Sequence, residues 1–345
     1  MLLSLFAVLI TFGLVIFLHE LGHFLVCKKM RVRVERFAFG FGPELLGFSR
    51  GETRYSLCAF PLGGFVKPAG ESLEEHQGLP DEYFSQAWYK RIGIVAAGPA
   101  MNYLLAFILF TGAVYFWGQP QPSDQAIIGE TLKRQPADLA GIRSGDRIRS
   151  VNGVEVLFWK DMAEQIHKNP NRKIPLQYER SGRVRKIELT PVLDPDKNTG
   201  MIGISPKMEY VPQNLLSSIR AGALQCTFWT VYTLRVLFSK IYHLQKPDVS
   251  GPIGIMQMVS RAAHSGLENM VFLIALISVA VGLFNLFPIP LLDGGHAALY
   301  LWEGIRRKKL TPKILQAANT VGFAIVIGIL LFATYNDLLR LHIGK

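Results

Sequence analysis

The chain has 345 residues, with 37 basic and 26 acidic side chains for a formal charge of +11, and half of it is hydrophobic. Charged residues make up only 18%, against about a quarter in soluble domains, which excludes a disordered chain and argues against a purely cytosolic globule. Cys27, Cys58 and Cys226 are far apart and form no C-x-x-C pair, so they supply neither a disulfide framework nor a zinc knuckle.

The first stretch without charge runs from Met1 to Leu18 and resumes after Glu20 as far as Cys27. With no basic n-region and no small-residue cleavage site, it reads as a transmembrane helix over 1–27 rather than a signal peptide. It contains His19-Glu20-Leu21-Gly22-His23. Histidines four residues apart share one helix face, so both imidazoles can reach one zinc ion, with Glu20 placed as general base toward a water on it. Ionisable groups inside an apolar span are costly unless they are paired or functional.

A loop over 28–91 follows. Arg36-Phe37-Ala38-Phe39-Gly40-Phe41-Gly42 and Tyr55-Ser56-Leu57-Cys58-Ala59-Phe60 flank the turn Arg50-Gly51-Glu52 and predict a β-hairpin. Trp88, Tyr89, Lys90 and Arg91 read as interfacial anchors for a second span over 92–117, in which Asn102 packs against the first span. From 123 to 207 short apolar runs alternate with turns. There Pro136-Ala137-Asp138-Leu139-Ala140-Gly141-Ile142, Gly145-Asp146-Arg147-Ile148 and Val151-Asn152-Gly153 resemble a bacterial PDZ domain. The segment 208–266 predicts membrane-surface helices closed by the punctuation Ser250-Gly251-Pro252-Ile253-Gly254. Its charge-free run Ala221–Leu234 is too short to span.

A third span covers 270–300 and a fourth 314–336. Between the first two spans lie Lys28, Lys29, Arg31, Arg33 and Arg36, and between the last two Arg306, Arg307, Lys308, Lys309 and Lys313. The positive-inside rule makes both clusters cytoplasmic and places 118–270 outside. Because the surplus charge is concentrated beside spans, nucleic acid is excluded as the partner it serves. Zinc needs a third protein ligand, and the polar candidates bordering the spans are Asp293, the favoured one, and His296. Pro288, Pro290 and the pair Gly294-Gly295 break the helix there, and such backbone is tolerated at membrane depth only where it lines a cavity or is covered by protein.

His19 to His23, Gly98-Pro99-Ala100-Met101-Asn102 and Asn285 through His296, in this order, resemble the site-2 protease family over the whole chain. That resemblance implies a polytopic α-helical membrane protein with four transmembrane helices, a re-entrant β-loop and an inserted extracytoplasmic PDZ domain of α+β type. It implies a zinc metalloendopeptidase, with His19, His23 and Asp293 as ligands and Glu20 as acid/base. Asn285, Pro288, Gly40, Gly42 and Phe60 are expected to contact substrate, with interhelical packing an equal alternative for Asn285. The expected setting is a bacterial inner membrane, with the PDZ domain periplasmic, bound by a peptide or partner, and the active site near the cytoplasmic side. Expected substrates are single-span membrane proteins, namely an anti-sigma factor of the envelope stress response and remnant signal peptides. Enteric members carry two tandem PDZ domains, whereas 123–207 has room for one. The competing expectation is a non-catalytic, PDZ-bearing membrane adaptor.

Overall fold

The first apolar run, free of proline, forms helix α1 (Leu2–Lys29), whose last turn carries Lys28 and Lys29 where cations complement the helix dipole. The computed structural model describes residues 2–72, 74–194, 198–243 and 251–343. After α1 come strands β1 (Val34–Arg50) and β2 (Thr53–Pro68), closed by the expected turn, with Arg50 opposite Thr53 and Gly51 at φ +61°. The hairpin then doubles over. Arg36–Phe39 pair both with Arg54–Leu57 and with Gly64–Lys67, and Gly40 and Gly42 at the fold both adopt φ +88°, a conformation open to glycine at little steric cost.

Helix α2 (Trp88–Trp117) contains Pro99 and crosses α1 closely. A Cβ on Gly22 would collide with the Ala97 backbone, and one on Gly98 would collide with the His23 ring and lie 2.8 Å from His19 Cε1. Small residues at a crossing let two spans approach to backbone contact.

Residues 114–213 make a separate compact unit. Its elements are β3 (Gln119–Pro122), β4 (Ile128–Thr131), α3 (Pro136–Leu139), β5 (Arg147–Val151), β6 (Val154–Glu155), α4 (Trp159–His167), β7 (Ile174–Arg180), β8 (Arg183–Leu189), β9 (Val192–Asp194), β10 (Thr199–Met201), β11 (Ile204–Pro206) and β12 (Met208–Val211). The central sheet runs β6-β5-β7-β8, and its alternating apolar residues Ile148, Ile174 and Leu176 join Ile128, Met162 and Ile202 in one buried core. At the base β12 pairs antiparallel with β3, Val211 opposite Gln119. The chain therefore enters and leaves this unit side by side.

The remaining helices belong with α1 and α2. They are α5 (Leu215–Tyr242), α6 (Pro252–Ser265), α7 (Leu267–Asn285), α8 (Asp293–Arg306) and α9 (Pro312–Ile343). Among the described residues, α1, α2, α7 and α9 as far as Arg340 are long and apolar enough to cross a membrane. Helix α5 is twice as long as the charge-free run inside it and packs on the spans: its Thr230 Oγ1 lies 3.0 Å from the Tyr103 hydroxyl, and Trp229 meets Phe272 edge-on. The predicted punctuation before α6 begins at Ser250, outside the described residues. Its Gly251 and Gly254 amides donate to Asp337 of α9.

The segment 270–300 is not one helix. Residues 286–292 separate α7 from α8 because Pro288 and Pro290 lack the amide protons that helix continuation needs. Leu291 is held at φ +81°, a costly conformation for a leucine. Backbone from this break packs onto Gly294 and Gly295, where a Cβ would collide with it. That close approach sets Asp293 in the first turn of α8.

Candidate metal centre

Two elements deliver the centre. His19 and His23 come from one face of α1, and Asp293 from the start of α8. The Asp293 Oδ2 lies 3.1 Å from His19 Nε2 and 3.6 Å from His23 Nε2, and the two Nε2 atoms are 3.2 Å apart. Among the described residues, this trio is the one group of three His, Cys, Asp or Glu whose ligand atoms converge. Tetrahedral zinc with bonds of about 2.0–2.2 Å places its ligand atoms about 3.3–3.6 Å apart, so the trio fits the ion. Its fit is strengthened by Asp293 Oδ2, which is buried without a hydrogen-bond donor. His296 lines the same cavity, but its ring stacks on Tyr300 and it is outside the converging trio.

Helix α2 sets the histidine tautomers. The Ile94 carbonyl accepts from His23 Nδ1 at 2.8 Å, which leaves Nε2 its lone pair for the ion. The fully buried Asn102 carboxamide lies 3.1 Å from His19 Nδ1, and its Oδ1 has no partner. Exchanging the two ends of that carboxamide gives Oδ1 the His19 Nδ1 proton and satisfies both groups. Asn102 therefore does more than pack spans together. Residues 94, 98 and 102 recur at helical spacing on the face turned to the histidines, a signal present in the sequence once the helix contact is known.

Arg91 lies on the same stripe. It is 2% exposed and pairs with Glu303 of α8, itself 9% exposed. Its guanidinium lies 4.5 Å from the centroid of Tyr300, and Glu303 also accepts the Leu310 amide at 3.2 Å. The residue read as an interfacial anchor is thus a buried tie between α2 and the helix that carries Asp293.

Glu20 follows His19 into a cavity of about 1170 Å³ that the trio also lines. The Val66 backbone amide of β2 faces its carboxylate, which the sequence did not signal, and a Cβ on Gly64 would lie 3.6 Å from Glu20 Cγ. Residues Phe65–Pro68 line this cavity too, and among the described residues Gly64–Lys67 pair with Arg36–Phe39 alone, so one edge of β2 there has no strand partner among them. Asn285 lines the cavity while its amide donates to Val281 O. Pro288, Gly40, Gly42 and Phe60 do not line it; Pro288 is exposed in the helix break, Phe60 is exposed on the hairpin and the two glycines shape its fold.

Glu71 opens onto the same cavity. Although Glu71 is exposed at the cavity mouth, the protein mass around it pushes its carboxyl up to about 7, with the charge of Glu20 acting in the same direction and His23 and Lys67 opposing. The loop that carries it is closed by buried Glu82, which accepts the amides of Gln77, Gly78 and Leu79.

A helix-borne HExxH with a convergent aspartate is joined by similarity over nearly the whole chain: the family model described as Peptidase family M50 matches residues 7–329. The chain belongs to family M50, the site-2 proteases. A Clostridium acetobutylicum protein with a zinc-metalloprotease name is 35% identical over 334 residues, 95% of each chain. Zinc metalloprotease RasP of Shouchella clausii is 29% identical over 98% of this chain and 99% of its own. Regulator of sigma-W protease RasP of Bacillus subtilis is 27% identical over 98% of both. Among solved structures, the PDZ domain of an SdrC-like protein from Listeria monocytogenes covers 25% of this chain and 90% of its own, at 18% identity and a TM-score of 0.22. This M50 protein is an integral membrane zinc metalloprotease.

Proposed function

We propose that the protein cleaves transmembrane segments of single-span membrane proteins, with His19, His23 and Asp293 holding the zinc and Glu20 handling the proton. The observation that carries this is the convergence of the trio and Glu20 inside a cavity bordered by apolar spans. Bound zinc supplies Lewis acidity, polarising the scissile carbonyl and lowering the pKa of water. Glu20, facing the Val66 amide, takes the proton of the attacking water and returns it to the leaving nitrogen. A transmembrane helix hides its peptide bonds in its own hydrogen bonds, so it must be unwound first. The β2 edge beside Glu20 supports capture of the unwound strand by strand addition, with Asn285 as a further contact. Pro288 is then a shaper of the helix break, and Gly40, Gly42 and Phe60 act through the form of the hairpin.

His23 lies five residues from Lys28, about 8 Å along the helix, which under the positive-inside rule puts the chemistry near the cytoplasmic face of a bacterial inner membrane. The hairpin then re-enters the membrane from that side, and the unit 114–213 lies outside, where we read it as a single PDZ domain that docks a peptide or filters substrates by size. The sigma-W name of the B. subtilis relative favours an anti-sigma factor as substrate, with remnant signal peptides a second class. Cleavage of a tagged single-span substrate by purified protein tests this. Glu20→Gln should abolish cleavage while retaining zinc; undiminished cleavage would refute the assignment and return the adaptor reading.

A further inference from the structure

From Val321 to Ala333 α9 carries only apolar residues, yet just before that run Gln316, Asn319 and Thr320 sit together and all three line the cavity of the metal centre, as does Phe323. Positions 316, 319, 320 and 323 share one helix face. Asn319 Oδ1 is buried without a partner, and Thr320 donates to Gln316 O at 2.9 Å, which leaves the hydroxyl oxygen's acceptor capacity free. Polar side chains at membrane depth are costly unless partnered and commonly mark a substrate path. The helix is fixed at both ends of this face. Leu315 packs in the cluster that contains Tyr300, and a Cβ on Gly322 would collide with Pro290 of the helix break.

We propose that Gln316, Asn319 and Thr320 form a hydrogen-bonding rail for the backbone of an unwound substrate segment, a second contact line besides the β2 edge. A carboxamide offers N–H donors and a carbonyl acceptor, complementary to the single C=O and single N–H of a peptide unit, so this rail reads extended backbone rather than side-chain identity. Asn319 Oδ1 accepts a substrate amide proton. The inference rests on the protease reading and deepens it.

The test uses full-length Glu20→Gln protein in nanodiscs and a fluorescent single-span peptide, once with all amides intact and once with a single backbone ester replacing successive amides. Asn319→Leu and Gln316→Leu should each weaken peptide binding about tenfold, the effect of one lost buried hydrogen bond, with zinc content unchanged. Thr320→Val is the conservative check where a leucine perturbs folding. One ester position should weaken binding to the parent and have no further effect in Asn319→Leu, because both changes delete the same bond. Equal ester costs in both proteins, or an unchanged dissociation constant in zinc-replete variants, would overturn the rail and indicate that ordered water satisfies the carboxamides. Failure of the protease reading looks different: the parent with Glu20 intact would not cleave the same peptide.

Discussion

Asn102 shows how one amide can govern a metal ligand without touching the metal. If its Oδ1 holds the Nδ1 proton of His19, removing the carboxamide frees the ring to rotate and to swap tautomers. Asn102→Leu should therefore lower zinc affinity about 10–100-fold, measured by competition with a chromophoric chelator, and Asn102→Asp should retain most of it. Equal affinities in the leucine variant and the parent would remove the positioning role. Glu71 makes a pH prediction. Its carboxyl is raised to about 7, so between about 4.5 and 7 the folded state binds more protons than the unfolded one. Stability contributed by this group is then present at low pH and falls as pH rises through that window. In zinc-stripped protein, Glu71→Gln should melt at a higher temperature than the parent at pH 8 and at the same temperature at pH 4.5.

At the scale of elements, α2 is the common scaffold of the centre. It contacts His23 through Ile94, both rings at Gly98 and His19 through Asn102, and it holds α8 through Arg91 and Glu303. Breaking a buried pair strands a charge and costs about 3–5 kcal/mol. Glu303→Ala should lower thermal stability by that order and reduce zinc retention, whereas Arg91→Met with Glu303→Leu should recover much of the stability. Recovery of neither would mean that the tie acts through the stacking on Tyr300. Much of this arrangement was legible in the sequence: HExxH on an apolar helix, the proline break before Asp293 and the hairpin turn at Gly51 each follow from local chemistry. The long-range pairings were not. Arg91 beside Trp88 and Tyr89 carries the same local pattern as any interfacial anchor, and nothing near Val66 signals that its amide meets Glu20. Gly40 and Gly42 were expected at the substrate from the family resemblance alone; that the hairpin doubles where both adopt φ +88° is a long-range feature that no local pattern announces.

At the scale of the molecule, the charge pattern predicts an orientation that labelling can test. Cysteines introduced at Lys29 and Lys308 in a thiol-free background should react with a membrane-impermeant maleimide only after the cytoplasmic face is opened, and one at Glu155 should react in intact spheroplasts. Labelling of positions 29 and 308 from opposite sides would break the four-span topology. Metal removal acts on the same assembly: stripping zinc should lower the melting temperature, and the loss should scale with the logarithm of free zinc over its dissociation constant.

The ribbon of β3 and β12 gives the unit between 114 and 213 the topology of a plug-in cassette. Gln119 and Val211 are neighbouring rungs, so an excision that joins them through a short turn leaves the flanking chain almost no gap to bridge, and the entropic cost of closing so short a loop is small. A second cassette could be spliced into the same rungs as readily as the first could be lost. A version of this protein with 120–210 replaced by a tight turn should therefore still load one zinc per chain.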